Sequence, residues 1–164
     1  MICARRLRRF SGLSDIAPRL PGKIYDDLDR HLAAAGSMDR AAVPMGMYLA
    51  WCTNLQLVSR RLVEEAEQLL LRVRYREVTG SELLVAGCAG ELHSRWLSED
   101  GRRFTDAYYP QYLADFESVF GGDVYDVKDD WAHYDRIAVV LTKRYMHAAA
   151  QRHGRGRKWW KFWS

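Results

Sequence analysis

Apolar residues in this chain recur every third or fourth position, and no stretch alternates long enough to build a sheet. In "RAAVPMGMYLAWCTNLQL", Val43, Met47, Trp51 and Leu55 fall four apart, the spacing that gathers side chains on one helix face. "RRLVEEAEQLLLRVRYREV" sets Leu62, Ala66, Leu69, Leu70 and Val73 against Glu64, Glu65, Arg72 and Arg76. "DDWAHYDRIAVVLTKRYMHAAAQRHG" sets Trp131, Tyr134, Ala138, Leu141 and Tyr145 at spacings of three and four. Its acids lie at the start and its bases toward the end, as the helix dipole favours.

The punctuation between these runs predicts the boundaries. Ile24, Leu28 and Leu32 read as a first helix stopped by Gly36. Pro44 fits only a first helical turn, so the second helix is expected to begin there. Ser59 reads as the N-cap of the third, closed by Thr79-Gly80, and "SELLVAGCAG" as a short fourth. Ser98 caps "EDGRRFTDAYY", Pro110 interrupts it, and "QYLADFESVFGG" runs to a glycine stop. "DVYDV" is too short to assign as a strand. The expected fold is mainly α: a compact single-domain bundle of about five or six helices with little or no sheet. At 164 residues, one domain suffices. Residues 1–22 read as a basic extension containing Gly12, Pro18, Pro21 and Gly22, residues 23–152 as the helical domain, and residues 153–164 as a basic aromatic tail.

Charge divides along the same lines. Residues 1–23 balance to +5 and residues 143–164 to +7, whereas residues 24–142 hold 12 bases against 20 acids. An acidic body thus carries two basic ends. Nucleic-acid binders place basic charge on the folded surface, so nucleic acid is not an expected partner. "MICARRLRRFSG" lacks a following apolar run and no stretch is long enough to cross a bilayer, so a cytoplasmic protein is expected. Cys3, Cys52 and Cys88 have no ligand spacing, and the latter two sit in apolar surroundings, as buried small hydrophobes do.

Chemistry is sparse. Asp129 or Asp130 shares a helix face with His133, which would suit an acid–base pair or part of a metal site. The plainer reading makes one aspartate a helix cap and His133 a solvated neighbour. His31, His93, His147 and His153 stand in no ligand spacing, and no nucleophile elbow, zinc-protease motif or phosphate loop occurs. No enzyme, cofactor or metal is expected. The acids are more telling: Asp115, Glu117, Asp123, Asp126, Asp129, Asp130 and Asp135 face only Lys128 across 21 residues, with Tyr108, Tyr109, Tyr112, Tyr125 and Tyr134 interleaved. That composition suits an acidic, tyrosine-bearing patch that docks a basic partner. A charge run is also what any solvated face carries. The tail "RKWWKFW", with Trp159, Trp160, Phe162 and Trp163, could stack on single-stranded nucleic acid, sit at a membrane interface, strap across its own acidic body, or be a disordered end. The strap reading leads.

The pieces "KIYDD", "GMYLAW", "RYREVTGSELL", "FTDAYYPQYLADFESVF" and "YDVKDDWAHYDRIAVVLTKRY", in that order across residues 23–146, resemble a family of small bacterial proteins encoded beside polymorphic-toxin and secretion-system genes. Members of that family are taken for immunity factors, and many end in a similar aromatic-basic tail. Two departures stand out: the extension at residues 1–22, and "HLAAAGSMDRAAVP" in place of a glycine- and proline-containing stretch before "GMYLAW". The resemblance lends no catalytic residues and implies a binding role.

Together these expectations describe an immunity-type protein that neutralises a cognate toxin or effector by occluding a basic active-site cleft. Asp115, Glu117, Asp123, Tyr125, Asp126, Asp129 and Asp130 would meet the partner, and Trp159, Trp160, Phe162 and Trp163 would form the tail contact. The alternatives are a peripheral membrane adaptor held by the tail, or a small enzyme centred on Asp130 and His133.

Overall fold

The computed structural model describes residues 22–156, with side chains to residue 152. The tail aromatics Trp159, Trp160, Phe162 and Trp163, Cys3 and almost all of the basic extension lie outside the described residues. Among the described residues the order is β1 (Ile24–Asp27), α1 (Leu28–Ala35), α2 (Met38–Asn54), α3 (Arg60–Arg74), α4 (Gly80–Cys88), β2 (Glu91–His93), α5 (Glu99–Phe120) and α6 (Trp131–Gly156). Short 3-10 turns occupy Ser94–Trp96 and Val124–Asp126. The fold is mainly α, with six helices and one two-stranded antiparallel sheet in which Ile24 faces His93 and Asp27 faces Glu91.

Four boundaries differ from the sequence reading, each for a local reason. Residues 24–27 form a strand because Asp27, held extended, accepts the Arg30 amide and so starts α1 at Leu28, four residues later than expected. The second helix begins at Met38, because Ser37 caps it by accepting the Arg40 amide. Pro44 therefore lies inside α2, where burial of every residue from Ala41 to Thr53 holds the helix despite the missing donor. Thr79 does not close α3; it opens α4 through a capping box with Glu82, while α3 already ends at Tyr75. Pro110 does not interrupt α5, which runs through it to the Gly121 cap because Tyr108, Tyr109, Tyr112 and Phe116 bury one continuous face. The Ser59 and Ser98 caps stand as read.

A helix buried on all sides must be the centre of the bundle. Around α2 the ring of Tyr48 contacts those of Trp51, Tyr109 and Tyr112, and Trp51 meets Phe104 and Tyr145. Each polar tip finds a partner: Tyr48 with Thr105 at 2.9 Å, Trp51 donating to Thr142 at 3.1 Å, Tyr112 donating to the Pro44 carbonyl at 2.8 Å. The tyrosines read as part of an exposed acidic patch are core residues instead. Tyr108, Tyr109, Tyr112 and Tyr134 are all buried, since each ring belongs to the inward face of α5 or α6.

The tightest contact joins α2 to α4. A Cβ on Gly80 would lie 1.9 Å from the Gly46 carbonyl oxygen, and one on Gly46 would lie 2.4 Å from the Ser81 amide nitrogen. Backbone meets backbone there, and neither side can yield. Gly46→Ala is expected to cost about 2 kcal/mol or more by overpacking. A urea titration should show a lower midpoint with an unchanged slope; an unmoved midpoint would contradict this close approach.

Candidate functional site: an anchored acidic loop

The segment 121–130 joins α5 to α6 and carries Asp123, Asp126, Asp129 and Asp130. Gly121 and Gly122 start it at φ +70° and +72°, left-handed values that suit glycine. Asp123 then accepts the Tyr125 amide at 2.9 Å and fixes the 3-10 turn. The Tyr125 carbonyl accepts Arg40 Nε at 2.9 Å, and the same guanidinium pairs with Asp126. Asp129 turns inward and accepts the Thr79 hydroxyl at 2.7 Å. Asp130 caps α6, taking the His133 amide at 2.9 Å and its Nδ1 at 2.7 Å. This ten-residue connection is held at four points.

Behind it lies a polar cluster that sequence reasoning missed. Asp26 and His31 are both buried. Asp26 Oδ1 accepts His31 Nε2 at 2.7 Å and the Asp27 amide at 3.0 Å, while Oδ2 accepts the Tyr109 hydroxyl at 2.9 Å. His31 Nδ1 lies 2.6 Å from the Tyr125 hydroxyl, which donates when the ring is neutral. Burial, then Asp26, pushes the Tyr125 hydroxyl up. Both ring nitrogens are thus engaged, and the imidazole works as a tether from the β1–α1 corner to the acidic loop.

The acids of the sequence patch divide by environment. Asp115 forms a two-pronged pair with Arg144 at 2.9 and 2.8 Å and accepts the Tyr108 hydroxyl at 2.8 Å, so Arg144 holds its carboxyl below the usual range. Asp135 makes the same fork with Arg76 at 2.9 and 2.6 Å. The His133 amide, then its imidazole, hold Asp130 down to about 2. Burial dominates at Asp129 and pushes it up. Glu117 and Asp123 are exposed and have no ion-pair partner among the described residues. The structure therefore gathers Asp123, Tyr125, Asp126, Asp129 and Asp130 on one loop, and places Asp115 and Glu117 apart on α5.

Beside Asp129 opens a cleft of about 440 Å³, walled by Leu69, Val78 and Val85 with Asp39, Glu82 and Arg72 at its polar positions. Ser81 adds a buried hydroxyl beside Asp129, where with Thr79 it works against the effect of burial on that carboxyl. No three His, Cys, Asp or Glu side chains among the described residues are grouped to hold a metal ion. Cys52 and Cys88 are free and buried, and burial pushes both thiols up, Cys88 to about 12. No described helix is long and apolar enough to cross a membrane.

Two outcomes follow from this geometry. Asp26→Ala leaves His31 and Tyr109 without their buried partner and is expected to cost about 3 kcal/mol, read from the denaturation midpoint; a cost within error of zero would mean the cluster carries no weight. Asp130 sits below its ordinary 3.8 in the folded protein, so its stabilising contribution is present above about pH 4 and is lost as the pH falls toward 2. Thermal melts should show this acid limb in the wild type and a flatter one in Asp130→Asn; parallel limbs would contradict the assignment.

Neither a curated protein nor a solved structure matches the chain. One family model does match, over residues 24–129, a span that takes in β1, the Asp26–His31 pair and the loop to Asp129. Since that match covers more than half of the chain, the protein belongs to the family described as Domain of unknown function (DUF7832).

Proposed function

We propose that this protein is an immunity-type binding protein that neutralises a cognate bacterial toxin or effector by covering a basic active-site cleft. The observation that carries the reading is the anchoring of the loop 121–130. A loop fixed at four points loses little freedom on binding, which is the cost that limits affinity at most interfaces. Its unpaired outward charge, Asp123, with Glu117 on the neighbouring helix, would steer a basic partner into contact. Acidic excess over residues 24–142 supports the same partner chemistry. The resemblance of the motif series to proteins encoded beside toxin genes supplies the kind of partner.

The loop is the occluding element in this reading and Tyr125 its internal brace. Asp129 and Asp130 shape the loop from within, through Thr79 and the α6 cap, and meet the partner less directly. Asp115 is committed to Arg144 and contributes mainly by fixing α5 to α6.

Purification of the tagged protein from its native cell should retain a stoichiometric partner carrying a toxin or effector domain. Co-expression should also relieve that partner's effect on growth. Exchanging Glu117→Gln and Asp123→Asn together, which leaves the Arg40–Asp126 anchor in place, should slow association several-fold at low salt and leave the melting curve close to wild type. Unchanged association at every salt concentration, or a toxin that remains fully active in the complex, would overturn the occlusion reading.

A further inference from the structure

The 440 Å³ cleft and the helix α6 lead to a second interface. The cleft combines an apolar wall with three carboxyl groups, Asp39, Glu82 and Asp129, against one base, Arg72. Val85, on that wall, is 46% exposed, and Asp39 has no ion-pair partner among the described residues. Such a site fits a segment that brings an aromatic ring and a positive charge together.

The chain itself carries one: residues 157–164 read "RKWWKFWS". Reach decides which copy could deliver it. Asp129 lies at the start of α6, and the tail follows its end at Gly156. Twenty-six helical residues span about 39 Å. The last eight residues of the chain extend at most about 29 Å. The tail falls short of its own cleft. A nearer groove of about 210 Å³, between Phe104, Ala107 and Ala148, is flanked by Arg103 and Arg152, with no acid among its lining residues. Arg103 is already paired with Glu99 and Asp100, so the groove offers the tail no carboxylate of its own lining to meet its bases.

We propose that two copies pair with their α6 helices antiparallel, each placing its C-terminal aromatic-basic segment in the acidic cleft of the other. Antiparallel pairing cancels the length of α6, since the tail of one copy then lies beside the cleft of its partner. The face that would meet along the helix is present as well. Val139 and Met146, seven residues apart and so on one side of α6, are 54% and 62% exposed. Asp135, on that same side, pairs with Arg76 at the α3–α4 connection and so turns this face toward the cleft. The arrangement is closed and two-fold, which limits it to a dimer. It is independent of the toxin reading.

Sedimentation of the full chain at several concentrations tests it. A monomer–dimer equilibrium is expected. A tail variant (Trp159→Ser with Trp160→Ser) and a cleft variant (Asp39→Asn with Val85→Lys) should each dissociate at least tenfold more readily. Mixing the two should restore a heterodimer, because one copy keeps its cleft and the other its tail. The altered cleft positions are at the surface, and equal melting curves exclude unfolding as the cause. Four results would overturn the proposal: a wild type that stays monomeric at high concentration, a cleft variant that still pairs, a tail variant that still pairs, or a mixture that fails to associate. Binding of a monomeric wild type to vesicles of anionic phospholipid would assign the tail to a membrane instead.

Discussion

The carboxyl group of Asp26 is the point from which the N-terminal half of this structure is organised. It lies on β1, ties back α1 through His31, receives α5 through Tyr109, and by way of the imidazole reaches Tyr125 in the loop before α6. Two stretches distant in sequence, β1–α1 and α5 with the loop that follows it, are joined through this one pair of side chains. Taking a carboxyl out of water is costly unless its oxygens are occupied, and here both accept hydrogen bonds from groups that have few other partners. The cluster is therefore mutually dependent. If any member is lost, the rest are left with unmet hydrogen bonds in a buried place.

The other fixed point is the backbone contact between α2 and α4 at Gly46 and Gly80. It draws α4 close enough for Thr79, the α4 cap, to reach Asp129 at the far end of the acidic loop. The middle of the loop is thus held at Tyr125 by the Asp26 cluster and its far end at Asp129 by the α4 cap. Between them, Arg40 on α2 grips both the Tyr125 carbonyl and Asp126. A segment that carries four aspartates is kept in a single shape by contacts on its inner side, and Asp123 remains exposed on its outer side. Preorganisation of this kind favours binding because the ordering cost falls on folding.

Much of the helical scaffold was legible because its signals are local. Ser59, Ser98 and Gly121 mark boundaries through the unsatisfied amides and carbonyls of helix ends, and those signals lie within four residues. Pro44 and Pro110 misled for a related reason: their local cost is real, but burial of the surrounding face outweighs it, and burial is not local. Thr79-Gly80 could be read either as an end or as a beginning, and Glu82 three residues on was the sign of a beginning. The acidic loop was visible as composition. Its anchoring was not, since Asp26 and Tyr109 are 83 residues apart and His31 and Tyr125 are 94 apart. His31 gave no sequence signal because its partners, Asp26 and Tyr125, come from two other elements. The interleaved tyrosines looked like surface anchors, yet their spacing of one, three and four along α5 suits a core face equally well.

The loop 121–130 keeps its shape because the Asp26–His31 pair holds Tyr125. Hydrogen–deuterium exchange of that segment in the free protein tests it most directly, since opening of a local unit sets the exchange rate of its amides. The account predicts that the amides of Tyr125 and Asp126 exchange slowly in the wild type, and that His31→Leu speeds them while the amides of α5 stay protected. Fast exchange across 121–130 in the wild type, or protection that survives the loss of His31, would contradict it.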